Sequence, residues 1–291
     1  MFAVQGRALL RKATASLPAR LGRRFSADRC PDLAVLIGWN LMFASLPLVV
    51  VIAAIIGLVV GLDPTGTSGQ HAGAGARVQA TILQLLPGAH PDDLAPLAQA
   101  SGLYLAVGFL GLLWTSAGLF GAMESAFSVV YRTPRRPFVR QKLVSFAMIL
   151  LFAPLTGLIV GSATILPGLS NLLSLPTALR SGFSLALQAA FGVLAGTLLY
   201  TVIYYVVPTR RQSLRHVWRG ALAAGVALEA LTLAFPFYVA LNKNFDRFGS
   251  SFAFVFLLLT FFYFLGMVTM LGAELNALLD PEDAARSGRR D

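Results

Sequence analysis

Residues 250–279 read SSFAFVFLLLTFFYFLGMVTMLGAELNALL. They hold no Lys or Arg, and their one charged side chain is Glu274. As a helix rising 1.5 Å per residue, such a run spans more than the roughly 30 Å of a bilayer's hydrocarbon. A helix apolar all round belongs in a large core or in a membrane. Five further stretches are of the same kind: Leu33–Leu62, Gly102–Tyr131, Leu143–Leu166, Phe183–Val207 and Val217–Leu241. The expected fold class is therefore all-α, a polytopic membrane protein built as a six-transmembrane helix bundle with an N-terminal amphipathic helix. Composition agrees: only 12% of the 291 residues are charged, against about 25% in soluble domains.

The cations orient the bundle. All 23 Lys and Arg lie at or beyond the ends of the apolar runs, as expected when a cation at the bilayer centre costs roughly 2.5–3.5 kcal/mol on insertion scales. Nineteen fall on the N-terminal segment, on the loops with Arg132, Arg135, Arg136, Arg140 and Lys142 and with Arg210, Arg211, Arg215 and Arg219, and on the tail; the alternate loops hold four, Arg77, Arg180, Lys243 and Arg247. Basic loops resist translocation, so both termini are expected in the cytoplasm. The organisation follows: a cytoplasmic amphipathic segment over 1–30, a membrane domain over 31–280 with its largest outer loop at 63–101, and a cytoplasmic tail over 281–291. Within the first segment, Leu9, Leu10, Leu17, Leu21 and Phe25 form an apolar stripe flanked by arginines, and Pro18 is expected to divide it.

The candidate chemistry lies in polar groups at membrane depth. The spans carry three charged residues, Glu124, Glu229 and Glu274, with Asn40 and Asn276 nearby. A carboxylate in hydrocarbon takes up a proton, binds a cation or faces a hydrated cavity. These five residues are candidate substrate- or ion-binding groups, with a pocket open to the cytoplasm expected from the second, fifth and sixth spans; the alternatives are hydrogen bonding between helices and, for Glu124 and Glu274, reaching up to the loop arginines. Pro47, Pro154 and Pro236 fall in the first, third and fifth spans and are expected kinks. Gly57–Gly61, Gly157–Gly161 and Gly192–Gly196 are GxxxG pairs suited to close helix contact. Arg135, Arg136, Arg210 and Arg211 are candidate contacts for anionic lipid headgroups.

Several function classes are not expected. A net charge of +10 suggests nucleic acid, yet the cations are scattered over short loops with no nucleic-acid-binding motif. Cys30 is the one cysteine, and His71, His90 and His216 lack ligand spacing, so no metal or cofactor is expected. No Walker, GxSxG, HExxH or dinucleotide motif occurs, and no enzymatic activity is expected.

Five short matches, in order along the chain, carry a family resemblance: Ala44-Ser45-Leu46-Pro47, Trp114-Thr115-Ser116-Ala117-Gly118 followed by Tyr131-Arg132, Tyr204 to Arg211, Trp218-Arg219-Gly220-Ala221 with Glu229 beyond it, and Leu271 to Ala277. Together they resemble the YihY/virulence factor BrkB family of bacterial inner-membrane proteins. The resemblance implies six helices, cytoplasmic termini and a role in the cell envelope, with no established reaction. A ribonuclease label once attached to that family finds no support in these residues. The expected function is that of a transporter-like inner-membrane protein for a lipid or small charged substrate; the alternative is a structural or assembly factor. The expected partners are the bilayer and its anionic headgroups, and a homo-oligomer is left open. Cysteines placed at Gln70, Leu175 and Ser213 test the orientation: an impermeant thiol reagent added to intact cells is expected to label the first two and spare the third.

Overall fold

The computed structural model describes residues 16–61, 101–137, 139–148, 177–210, 212–241 and 250–280. The described elements are helices: α1 (Leu17–Ala27), α2 (Cys30–Gly61), α3 (Ser101–Val130), α4 (139–148), α5 (Thr177–Val206), α6 (Leu214–Leu241) and α7 (Ser250–Leu279). Five of them, α2, α3, α5, α6 and α7, are long and apolar enough to cross a membrane. The expected third span starts within α4. Its remainder with Pro154, the first fifteen residues, the outer loop from 62 to 100, Arg211 and the tail from 281 lie outside the described residues.

Pro18 lies at the start of α1, and the part of the apolar stripe before Ser16 lies outside the described residues. The proline stands at the helix's first turn, where its fixed φ suits a helix and its missing N–H has no partner to lose. Ser16 precedes it in an extended conformation, and its carbonyl accepts the Arg20 amide at 3.0 Å. Phe25 packs against the bundle core. α2 and α6 run on through Pro47 and Pro236 as single helices. Pro47 lies over Gly111 of α3, whose missing side chain leaves room for the ring.

α7 is the middle of the bundle, packed closely on α2 and α6 and touching α1 and α3. Lipid tails are as apolar as leucine, so membrane helices gain from close backbone contact more than from hydrophobic exclusion. Glycine supplies that contact on both sides. A Cβ on Gly38 of α2 would stand 2.9 Å from the Phe262 carbonyl oxygen, and one on Gly266 would run into the Ala34 carbonyl. On the opposite face, a Cβ on Gly220 of α6 would strike the carbonyl of Gly272. α5 and α6 pair similarly, with Gly196 against Gly225. The expected Gly192–Gly196 pair thus sits in a helix contact.

An aromatic cluster fills the half of the bundle nearer the arginines. Tyr200 and Tyr204 of α5 stack at 5.5 Å, and Phe127 of α3 meets Tyr204 edge-on at 5.7 Å. The Tyr204 hydroxyl donates to the Thr269 carbonyl of α7 at 2.8 Å. These tyrosines are buried, while Tyr205 is exposed. Gly266→Leu is expected to destabilise the folded protein by about 1–3 kcal/mol through overpacking. Gly22→Ala on α1, where a Cβ meets nothing within 4 Å, is expected to leave it unchanged. Thermal unfolding in detergent compares the two.

Candidate functional site: polar clusters at the basic end

The start of α2, the ends of α3, α5 and α7 and the start of α6 gather at one end of the bundle with the arginines of their turns. Glu274, one turn and a half before the end of α7, is fully buried there. Arg24 of α1 places Nε 3.3 Å from its Oε2, and the Cys30 thiol donates to Oε1 at 3.5 Å. Asp28 lies beside the same carboxyl and is met by Arg132 Nη2 at 3.5 Å. Two acids and two guanidiniums thus form one cluster that ties α1, α2, α3 and α7 together.

The backbone bends to build it. Arg29 and Arg132 have φ of 52° and 53°, the left-handed region that non-glycine residues rarely occupy. Arg132 closes α3: the Thr133 amide reaches the Ser128 carbonyl at 3.1 Å and its own amide reaches Val129 at 3.3 Å. Glycine is usual at that position of such a cap, and a residue with a Cβ costs roughly 1–2 kcal/mol more. Only a long cation there reaches Asp28, which accounts for the arginine.

Glu124, near the end of α3, is 3% exposed. Its Oε1 accepts the backbone amide of Arg136 at 2.7 Å, and its Oε2 lies 3.7 Å from Arg136 Nη1. The same guanidinium donates to the carbonyls of Val207 at 2.7 Å, Pro208 at 2.8 Å and Val206 at 3.3 Å. Carbonyls at a helix end lack intrahelical partners and carry its negative pole. Arg136 therefore caps α5 and neutralises Glu124 in one step. Arg136, expected as a headgroup contact, is thus engaged internally with Glu124 and the end of α5. Arg135 is exposed, and Arg210 pairs with Asp280 at 3.0 Å.

The other candidates stand apart. Asn276 of α7 accepts the Gly220 amide of α6 at 2.8 Å and is buried. Asn40 of α2 turns back to the Leu36 carbonyl at 2.8 Å and lies over Gly118 of α3. Glu229 is half-buried on α6, its carboxylate laid over Gly192 of α5. It has no hydrogen bond or ion pair to a described residue. The convergent pocket expected from Glu124, Glu229 and Glu274 is therefore not what the helices build. Glu124 faces the α3–α4 turn, Glu274 faces α1, and Glu229 sits in the α5–α6 groove.

The family profile for virulence factor BrkB matches residues 21–291. The chain belongs to the virulence factor BrkB family. Among curated relatives, a UPF0761 membrane protein of Azotobacter vinelandii is 31% identical over 93% of this chain and 64% of its own. A UPF0761 membrane protein of Cronobacter sakazakii is 30% identical over 64% of this chain and 63% of its own. A Bacillus subtilis relative named putative ribonuclease-like protein YfkH is 27% identical over 63% of this chain and 68% of its own. The chain spans less than two thirds of the length of the two UPF0761 relatives. No solved structure matches it.

Sequence reasoning missed Arg24, Asp28 and Arg132 as one cluster with Glu274, and it missed the carbonyl cradle around Arg136. The available signal for the first was that Asp28 is the earliest acid in the chain, directly before a span. The second had none, because backbone carbonyls are invisible in a residue string. Arg136→Ala leaves a buried carboxylate and three carbonyls without their donor, and is expected to cost roughly 3–5 kcal/mol. Glu124→Gln keeps an acceptor for the Arg136 amide and is expected to cost less. A thermal-unfolding double-mutant cycle checks it: the two losses are expected to be non-additive.

Proposed function

We propose that this BrkB-family chain is a non-enzymatic, transporter-like protein of the bacterial inner membrane, acting on a lipid or small charged substrate in envelope maintenance. Its six spans leave both termini and the basic end in the cytoplasm, and α1 lies along the inner surface with Arg20 and Arg23 toward the headgroups and Arg24 turned in to Glu274. The observation that carries the reading is Glu229. It lies about 15 Å along α6 from Arg219, in a groove floored by glycine, and no described cation neutralises it. A solvated or protonatable carboxylate at that depth is a functional group by default. Glu124 and Glu274 act instead as structural acids.

A second reading, a structural or assembly factor, draws support from those two locks: most of the polar chemistry at the basic end is consumed in holding helices together. Liposomes holding the purified chain separate the readings. The transporter is expected to move a fluorescent lipid analogue or a proton-coupled solute, and Glu229→Gln to reduce the flux at least tenfold with unfolding unchanged. Full flux in Glu229→Gln removes the site. No flux over a panel of lipids and ions favours the scaffold.

A further inference from the structure

Six acids lie among the described residues, and five of them are held by arginines: Asp28 by Arg132, Asp32 by Arg29, Glu124 by Arg136, Glu274 by Arg24 and Asp280 by Arg210. The sixth, Glu229, sits far along α6 from its basic start. One group of cations at the basic end is left facing a cavity. Arg215, His216 and Arg219 of α6, with Leu279 of α7, line a depression of about 260 Å³ open to the surroundings. Among the described residues, Arg215 and His216 meet no acid, and Arg219 lies over the Trp218 ring at 5.7 Å.

Two further features point to the phosphate of a lipid. The cavity opens at the first turn of α6, the positive pole of that helix, where the His216 and Val217 amides are taken by the Ser213 carbonyl and those of Leu214 and Arg215 have no intrahelical acceptor. Its α7 wall presents Leu279; Asn276, one turn earlier on the same helix, is buried behind that wall and does not line the cavity. Asn276 is anchored there by the Gly220 amide, next in sequence to Arg219. Beside the cavity, Leu214, Trp218 and Leu222 form an exposed apolar stripe at helical spacing, one residue out of phase with Arg215 and Arg219. The cations and the helix N-terminus thus stand next to a surface suited to acyl chains, with a tryptophan at the boundary where such rings anchor.

We propose that this cavity binds the phosphate of an anionic phospholipid headgroup, Arg215 and Arg219 gripping its oxygens while the acyl chains run along Leu214, Trp218 and Leu222. The site is separate from the Glu229 groove and requires only that the basic end lie at a membrane surface, not that the chain transport anything.

The test uses the full chain in phosphatidylcholine nanodiscs doped with a trace of fluorescent phosphatidylglycerol, with binding read by energy transfer from tryptophan. Arg215→Gln/Arg219→Gln is expected to weaken the saturable signal at least tenfold. Arg140→Gln/Lys142→Gln, at exposed positions of equal charge away from the cavity, is expected to change it less than twofold. Equal loss in both pairs means diffuse attraction and overturns the site. Displacement by millimolar inorganic phosphate without effect of the lipid's chains identifies a free-anion site and overturns the lipid assignment. Should the double variant unfold, Arg215→Gln alone, at an exposed position, is expected to weaken binding at least threefold, and an unchanged signal there overturns the proposal.

Discussion

Helix α7 has a neighbour on each side, and its backbone touches theirs. That closeness is the constraint from which the rest follows. In lipid there is little gain in merely hiding leucine from solvent, so helices cohere through dense contact and through the polar groups they shelter. Gly38 and Gly266 let α2 and α7 meet at backbone distance, and Gly220 and Gly272 do the same for α6. Once α7 is held there, Thr269, Glu274 and Asn276 face α5, the α1–α2 turn and α6 respectively, and each finds its partner.

The basic end solves a second problem created by the first. Close-packed spans end in carbonyls that have no helical partner and acids that have little water. Arginine answers both, because one planar fork can donate to several oxygens at once. Arg136 does this most fully, joining Glu124 to the end of α5. Arg24 and Arg132 do it for Glu274 and Asp28. The arginines of the basic end thus divide into internal struts and outward cations, a division that charge counting treats as uniform. Glu229 and the cavity of Arg215, His216 and Arg219 are left after the struts are assigned, an acid and a cavity-lining basic cluster with no ion pair to a described residue.

The helical architecture was legible because it depends on averages over twenty residues, and an average survives ignorance of neighbours. The five described spans begin and end close to the runs read from hydropathy. The Gly192–Gly196 pair was legible for the same reason, as spacing on one face. Pro18 stands where a helix begins, and its fixed φ suits that place. The shared pocket of three glutamates was misread. Depth along a span can be counted from sequence, but azimuth around the bundle cannot, so three acids at related depths pointed in three directions.

Sequence alone determined that this chain crosses a membrane repeatedly as apolar helices with its cations toward one side, since solvent exclusion of charge acts on each residue independently of fold. Only the tertiary structure decided which arginine meets which acid and which polar groups are left for a ligand. Those assignments depend on the rotation of each helix about its axis, and that is set by glycine contacts and carbonyl positions spread over segments as distant as Ala34 and Gly266.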